Sequence, residues 1–215
     1  YERRSRLNPR QQAELIKFFV AGATARAAGE IAGVIATPLP RIHAPPGLIA
    51  MHLLSYRLSG EVEVDESYFG GVRKGKCGRG AAGKIAVFGL LKRNRKVYTA
   101  IIPNARTETL MPSLEERVEP DSIVYTDMFW ANNALDVSDF HYHRIDHSRL
   151  FAKQGNHING IENFWNQAKR HLRKFNDIKP EHFYWFLKEC EWRFNGGNHM
   201  ELLTQLISWV KQAKH

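Results

Sequence analysis

The clearest pattern of apolar and polar positions begins after Gly60. Val62 and Val64 alternate with acidic residues in the run VEVDESYFGG. This period of two predicts a half-buried strand whose carboxylates lie on the face opposite the valines. Two short apolar runs follow, at residues 85–91 and 97–102, and a basic turn joins them. Their close spacing predicts an antiparallel meander of three strands.

Farther along, the pattern alternates between helices and strands. Residues 107–118 predict a helix capped by Thr107, and residues 122–125 and 141–145 predict two more strands. A longer helix is predicted for residues 159–174, with two side-chain stripes displaced by about 100° around its axis. The apolar stripe, expected to pack on the sheet, comprises Ile161, Trp165, Ala168 and Leu172, and the polar stripe comprises Glu162, Asn166, Lys169 and Arg173.

Both ends of the chain are predicted to be helical. The segment from Asn8 predicts two short helices around Gly22, consistent with the first part of a helix-turn-helix or with any small helical hairpin. Four prolines between Pro38 and Pro46 break that pattern, so residues 35–46 are predicted to form a loop, with a helix resuming over residues 48–58. Residues 180–195 and 200–214 predict two amphipathic helices. We therefore expect an N-terminal helical segment, residues 1–59, and an α/β domain, residues 60–215.

Composition narrows the class of protein. The chain has 215 residues, of which 43% are hydrophobic, so it can form a proper core and is not a disordered tail. Its 31 Lys and Arg outnumber 22 Asp and Glu, which favours DNA or RNA as a partner over an ordinary basic surface. Cys77 and Cys190 form no CxxC pair, which indicates free thiols in a reducing cytoplasm. No apolar run approaches the length of a membrane span, so we expect no membrane partner.

Two segments have a composition suited to phosphate contact. The glycine-rich run of residues 70–84 contains five cations and no acid, which favours a DNA-clamping loop over a flexible hairpin tip. These cations are Arg73, Lys74, Lys76, Arg79 and Lys84. His141, His143 and His147 are interpreted as structural or phosphate-contacting residues, and not as a zinc site, because no cysteine accompanies them.

Three acids are candidates for one site. The order of elements matches a ribonuclease H-like mixed sheet flanked by helices, in which the first strand, the fourth strand and the late helix converge. Asp65, Asp127 and Glu162 occupy those elements. Taken singly, Asp65 also fits a solvated strand carboxylate, Asp127 a turn residue, and Glu162 a capping box with Asn159. Taken together, their oxygens suit Mg²⁺ or Mn²⁺, expected as two ions that support phosphoryl transfer.

The motifs EVDESYFGG, IVYTD and HINGIENFWNQAKRHLRKF resemble those of bacterial insertion-sequence transposases of the DDE type, related to Merlin elements. The resemblance covers roughly residues 60–214. It implies an enzyme that cuts DNA at transposon ends and joins the 3′-hydroxyl to target DNA, with a homo-oligomer in the synaptic complex. The resemblance implies Asp65, Asp127 and Glu162 as catalytic metal ligands, and Asn159 as a reserve third ligand. Lys169 then matches a lysine that contacts DNA phosphate, and Arg170 and Arg173 follow it on the same helix.

Two alternatives remain beside an active transposase. One is an inactive DNA-binding remnant, and the other is a ribonuclease H-like nuclease without strand transfer. The N-terminal segment departs from the family, because the proline-rich residues 35–46 do not resemble the recognition helix expected after Val34. We therefore expect this partly degenerate segment to recognise the element's ends weakly. Such a protein would lie in the bacterial cytoplasm and associate with the nucleoid when bound to DNA.

Overall fold

A computed structural model describes residues 7–34, 44–53, 57–70, 83–93, 96–126, 141–144, 158–175 and 178–212. The chain divides into two compact units. A helical unit combines Tyr1–Leu54 with His171–His215, and a sheet unit comprises Ser55–Arg170. The grouping places residues 171–215 with the N-terminal helices, whereas the division expected from the sequence keeps them in the α/β domain.

The sheet unit contains a five-stranded mixed sheet in the order β3-β2-β1-β4-β5. Its strands are β1 (Glu61–Phe69), β2 (Ile85–Lys92), β3 (Lys96–Ile102), β4 (Ile123–Thr126) and β5 (His141–Arg144). β1, β2 and β3 form the predicted antiparallel meander, while β4 lies parallel to both β1 and β5. The predicted α/β class, with a mixed sheet flanked by helices, is confirmed.

Helix α4 (Thr107–Arg117) covers one face of the sheet. Leu110 and Leu114 pack there with Val62 and Val64, and all four side chains are fully buried. The predicted cap by Thr107 is wrong, because Thr107 is already helical and Arg106 occupies the capping position without a side-chain bond. The helix instead depends on its apolar face, whose burial favours folding by roughly 1.5–3 kcal/mol per large side chain.

Helix α5 (Asn159–Leu172) covers the opposite face of the sheet with its first turns. The four residues of the predicted apolar stripe, Ile161, Trp165, Ala168 and Leu172, are all buried. The period of 3.6 residues therefore identified the face of this helix correctly. Helix α5 covers the carboxylate face of β1. The alternation of residues 61–65 predicted this face but not its burial under a helix.

The helical unit contains α1 (Pro9–Val20), α2 (Ala25–Ile31), α3 (Ala44–Leu53), α6 (Pro180–Asn195) and α7 (His199–Gln212). Asn8 forms a capping box with Gln11 at the start of α1. The prediction of a loop through residue 46 is wrong at its end, because α3 begins at Ala44. Pro45 and Pro46 lie in the first helical turn, where backbone N–H groups have no intrahelical partner and proline is tolerated. Residues 35–43 lie outside the described ranges.

The helical unit contains an apolar core cluster. Ile49 from α3, Trp192 from α6 and Leu206 from α7 are fully buried in it. Apart from His52, α3 carries only apolar residues, proline and glycine, so it contributes to packing and offers no basic face. The predicted helix-turn-helix character of this region stays a prediction. None of the described helices is both long and apolar enough to cross a membrane.

Candidate active site

Asp65 lies in the middle of β1, half-buried on the face that α5 covers. Its Oδ1 accepts a hydrogen bond of 2.8 Å from the backbone N–H of Glu66. Its Oδ2 accepts one of 2.9 Å from the indole Nε1–H of Trp165 on α5. The strand and the helix therefore fix the orientation of this carboxylate from two sides.

Gly89 makes room for the indole that reaches Asp65. It pairs with Asp65 across β1 and β2. A Cβ atom at position 89 would lie 2.5 Å from Cζ2 of Trp165 and 2.9 Å from Cδ1 of Ile161. Because real Cβ atoms do not approach other atoms so closely, only glycine allows α5 to lie this near the sheet.

Glu162 is exposed in the first turn of α5. The capping-box alternative with Asn159 is not what forms: the N–H of Glu162 bonds the carbonyl of Ile158, and Asn159 is already helical. The pair therefore does not occupy the N-cap and N3 positions that a capping box requires. Trp165, one turn beyond Glu162, is the residue of α5 that reaches Asp65.

Lys169 lies two turns beyond Glu162 on the same side of α5, within about 20° around the axis. Its ammonium group is 5.6 Å from the ring centroid of Phe69. Burial lowers the pKa of Lys169, the charge of Asp65 opposes that shift, and Lys84 adds to it. Lys169 is thus close enough to interact both with Asp65 and with Lys84, a second predicted DNA-contacting cation.

The remaining predicted positions have different outcomes. Arg170 and Arg173 are exposed, the first in α5 and the second just after it. Asp127, Arg73, Lys74, Lys76, Arg79 and His147 lie outside the described residues. Among the residues that are described, no three His, Cys, Asp or Glu side chains lie close enough together to hold a metal ion. The three-acid site therefore stays a prediction, of which the structure describes Asp65 and Glu162.

Comparison with known proteins identifies the family of this chain. Residues 57–195 match the ISXO2-like transposase domain. The chain belongs to this family of transposases. It is also 56% identical over 115 residues to an uncharacterized transposase-like protein of Haemophilus influenzae, a match that spans 52% of this chain and 94% of that protein. The predicted membership in the insertion-sequence transposases is confirmed.

Asp65 of the transposase domain offers donor chemistry suited to Mg²⁺ or Mn²⁺. Its carboxylate is only half-buried and supplies two oxygen atoms. Hard divalent cations prefer such oxygens. Glu63, two residues earlier on the same face, does not fit this role, because it is fully enclosed and its charge is already paired with the guanidinium of Arg93.

Sequence reasoning missed the charged cluster at the start of β1. Arg93 bonds Glu61 at 3.1 Å and Glu63 at 3.3 Å, and its guanidinium lies 3.8 Å from the ring centroid of Tyr125. The phenol of Tyr125 donates to Glu61, and burial, followed by the charge of Glu61, raises the pKa of Tyr125. For the separate contact between α5 and the sheet, the available signal was Gly89 within the apolar run IAVFGLL, since glycine inside a strand often marks the close approach of another element.

Proposed function

We propose that this transposase domain catalyses metal-dependent cleavage and strand transfer of insertion-sequence DNA, at a site formed by Asp65, Asp127 and Glu162. One observation carries the proposal. The half-buried carboxylate of Asp65 is bonded to α5, the helix whose first turn presents Glu162 and whose third turn presents Lys169. A strand carboxylate is thus joined to a helix that bears a second acid and a cation.

The order of the strands supports a ribonuclease H-like fold and a place for Asp127. In β3-β2-β1-β4-β5, β2 runs antiparallel to β1, whereas β4 and β5 run parallel to it. Val64 pairs with Thr126 across β1 and β4, and Asp65 and Asp127 are the next residues in the sequence. Thr126 is the last described residue of β4, and we propose Asp127, which follows it in the sequence, as the second acid of the site.

Each residue of the proposed site has a separate role. Asp65, Asp127 and Glu162, with Asn159 as the reserve third ligand, would hold two Mg²⁺ or Mn²⁺ ions. When bound, such ions activate the attacking oxygen and stabilise the leaving one in phosphoryl transfer. Trp165 keeps the Asp65 carboxylate in one orientation. Lys169 provides positive charge near Asp65, and Lys84 adds a second cation near Lys169, where a DNA phosphate could bind.

DNA is the proposed partner, both as transposon ends and as target. The net charge of +9 favours a polyanion. Arg170 and Arg173 extend the positive charge of Lys169 along and just beyond α5, and their exposure leaves them accessible to a phosphate backbone. Arg73, Lys74, Lys76 and Arg79 are proposed to contact the same DNA. A homo-oligomer that brings two ends together is proposed as the active assembly.

Nicking and strand transfer on duplexes that carry the element's terminal repeats test the proposal. Wild-type protein is expected to cut and join these duplexes with Mn²⁺ or Mg²⁺, and Asp65→Asn and Asp127→Asn are expected to lose both reactions. Glu108→Gln serves as the control, because it removes an acid from the first turn of α4, on the other face of the sheet.

The outcomes separate the alternatives. Activity that survives Asp127→Asn refutes the assigned site. Cutting without joining identifies a nuclease without strand transfer. Absence of both reactions in the wild-type protein, with DNA binding retained, identifies an inactive remnant.

A further inference from the structure

Two hydrogen bonds join strand β1 to helix α5. Glu63 and Asp65 lie two residues apart on one face of β1, and Ile161 and Trp165 lie four residues apart on α5. Oε2 of Glu63 accepts a hydrogen bond of 2.9 Å from the backbone N–H of Ile161. Oδ2 of Asp65 accepts one of 2.9 Å from the indole of Trp165. Two carboxylates thus hold successive turns of the helix.

Glu63 is enclosed, with only 2% of its surface exposed. A buried carboxylate is costly unless its oxygens are bonded. One oxygen meets the Ile161 N–H, and the other lies 3.3 Å from Nε of Arg93. Arg93 is held in turn by Glu61 and by the ring of Tyr125. The position of Glu63 is therefore fixed by groups of the sheet unit as well as by its bond to α5.

Among the described residues at the start of α5, from Ile158 onward, no side chain caps the helix. Ile158 occupies the capping position, and its apolar side chain has no oxygen to accept a backbone N–H. Glu63 supplies that oxygen from another element, and its negative charge suits the positive end of the helix dipole. Gly160 permits the approach, because a Cβ atom there would lie 2.8 Å from Oε2 of Glu63.

We infer that Glu63 is a positioning residue: its buried carboxylate caps α5 and thereby holds Glu162 and Lys169 in place beside Asp65. Glu162 directly follows Ile161, whose N–H Glu63 binds, so a shift of the first turn moves Glu162 first. The inference rests on the proposed function, since it assigns a purpose to Glu63 within that same site. Glu63 itself touches neither metal nor DNA in this scheme.

Glu63→Gln tests the inference, with Glu61→Gln as the matched control. Both variants remove one carboxylate from the same strand and weaken a bond to Arg93. Of the two glutamates, Glu63 is the one that bonds α5. Hydrogen exchange of the Ile161 amide, measured without metal or DNA, is expected to accelerate about tenfold or more in Glu63→Gln alone. Mn²⁺ binding is expected to weaken about 10–100-fold, as for other groups that orient a metal ligand. Strand transfer should fall with it.

Gly160→Ala provides a second variant that retains the Glu63 charge. It should displace Glu63 from Ile161 and reproduce both effects, and it keeps the test available if Glu63→Gln does not fold. Unchanged exchange at Ile161 in both variants overturns the inference. The inference is also overturned if exchange at Ile161 accelerates in these variants but their affinity for Mn²⁺ equals that of Glu61→Gln. If Asp65→Asn binds Mn²⁺ as well as the wild-type protein does, the proposed function fails, and the role of Glu63 fails with it whatever the exchange shows.

Discussion

A glycine shapes the candidate site as much as any charged side chain does. Gly89 lies opposite Asp65 and leaves the space that the indole of Trp165 fills. Any side chain there would force α5 away from the sheet and break the bond between Trp165 and Asp65. Gly47, in the first turns of α3, is the contrasting case, since nothing lies within 4 Å of a Cβ atom built on it.

Gly89→Ala and Gly47→Ala should therefore change stability in opposite directions. Gly89→Ala is expected to destabilise the protein by about 1–3 kcal/mol, the range for overpacking a core. Gly47→Ala is expected to stabilise it by roughly 0.5–1 kcal/mol, because alanine loses less entropy in a helix. Urea unfolding of both variants measures the two changes, and a shift of the same sign in both would contradict the packing described at Gly89.

Cys190 is expected to be inert in the folded protein. It is buried in α6, and burial, assisted by the charge of Glu189, raises the pKa of its thiol well above the usual range. Since the thiolate is the reactive form, iodoacetamide at pH 8.5 should label Cys190 at least about 100-fold more slowly than in urea-unfolded protein. Mass spectrometry of the peptide that contains Cys190 measures this. Equal rates in both states would contradict the burial.

Glu63 shows what residue patterns leave out. The alternation of Val62, Glu63 and Val64 correctly predicted two faces, and nothing in that alternation distinguishes a solvated carboxylate from one covered by a helix about 100 residues later. The order of elements predicted that α5 would approach β1, which it does. The hydrogen-bond partner of each carboxylate depends on how individual atoms pack. Neither the strand period of two residues nor the helix period of 3.6 residues determines that packing.

At the scale of elements, the helices differ in how they begin. Helix α1 is capped within its own sequence, by Asn8 and Gln11, and it begins where the sequence predicts. Helix α4 has no side-chain cap, and α5 receives its cap from β1. Local signals therefore located the first helix accurately, whereas the predicted cap of α4 by Thr107 and the alternative of a capping box in α5 are wrong.

Asn8→Ala is expected to destabilise the helical unit by about 1 kcal/mol, within the usual range of 0.5–2 for the loss of such a cap. Asn8→Asp should remain close to the wild-type stability, since it keeps the acceptor oxygen and adds a charge that suits the helix N-terminus. Thermal unfolding followed by circular dichroism compares the two. A loss of equal size in both variants would show that the side-chain oxygen does not stabilise α1.

At the scale of the molecule, the helical unit contains a buried charge network. Oε1 of Glu189 lies 3.0 Å from His171 and 2.8 Å from Arg193, and Arg193 also donates to the carbonyls of Phe19 and Val20. The network links the C-terminal helices to α1. Burial alone would raise the pKa of Glu189, but the hydrogen bond from His171 and the charge of Arg193 outweigh it, so the pKa is lowered.

Glu189→Gln is expected to cost about 3–5 kcal/mol at pH 7, because it leaves the largely buried guanidinium of Arg193 without its anion. The folded-state pKa lies below the unfolded value of about 4.3, so this stabilisation is present above that pH and is lost as pH falls through the folded-state pKa. The difference between the variant and the wild-type protein should therefore shrink below about pH 4. Glu181→Gln, on an exposed position of the same helix, should change stability by less than about 0.5 kcal/mol. Urea unfolding at pH 7 and at pH 3 measures the difference in the free energy of unfolding between the variant and the wild-type protein. An equal difference at both pH values would mean that Glu189 is uncharged in the folded protein.

The bond between Glu63 and Ile161 spans 98 positions of the chain. At a synthesis rate of about 5–20 residues per second, the ribosome makes β1 roughly 5–20 s before it makes the first turn of α5. During that interval Glu63 and Asp65 have no helix to hold. A nascent or truncated chain that ends before residue 158 thus lacks the organised site, so in our scheme DNA cutting begins only after α5 has been synthesised.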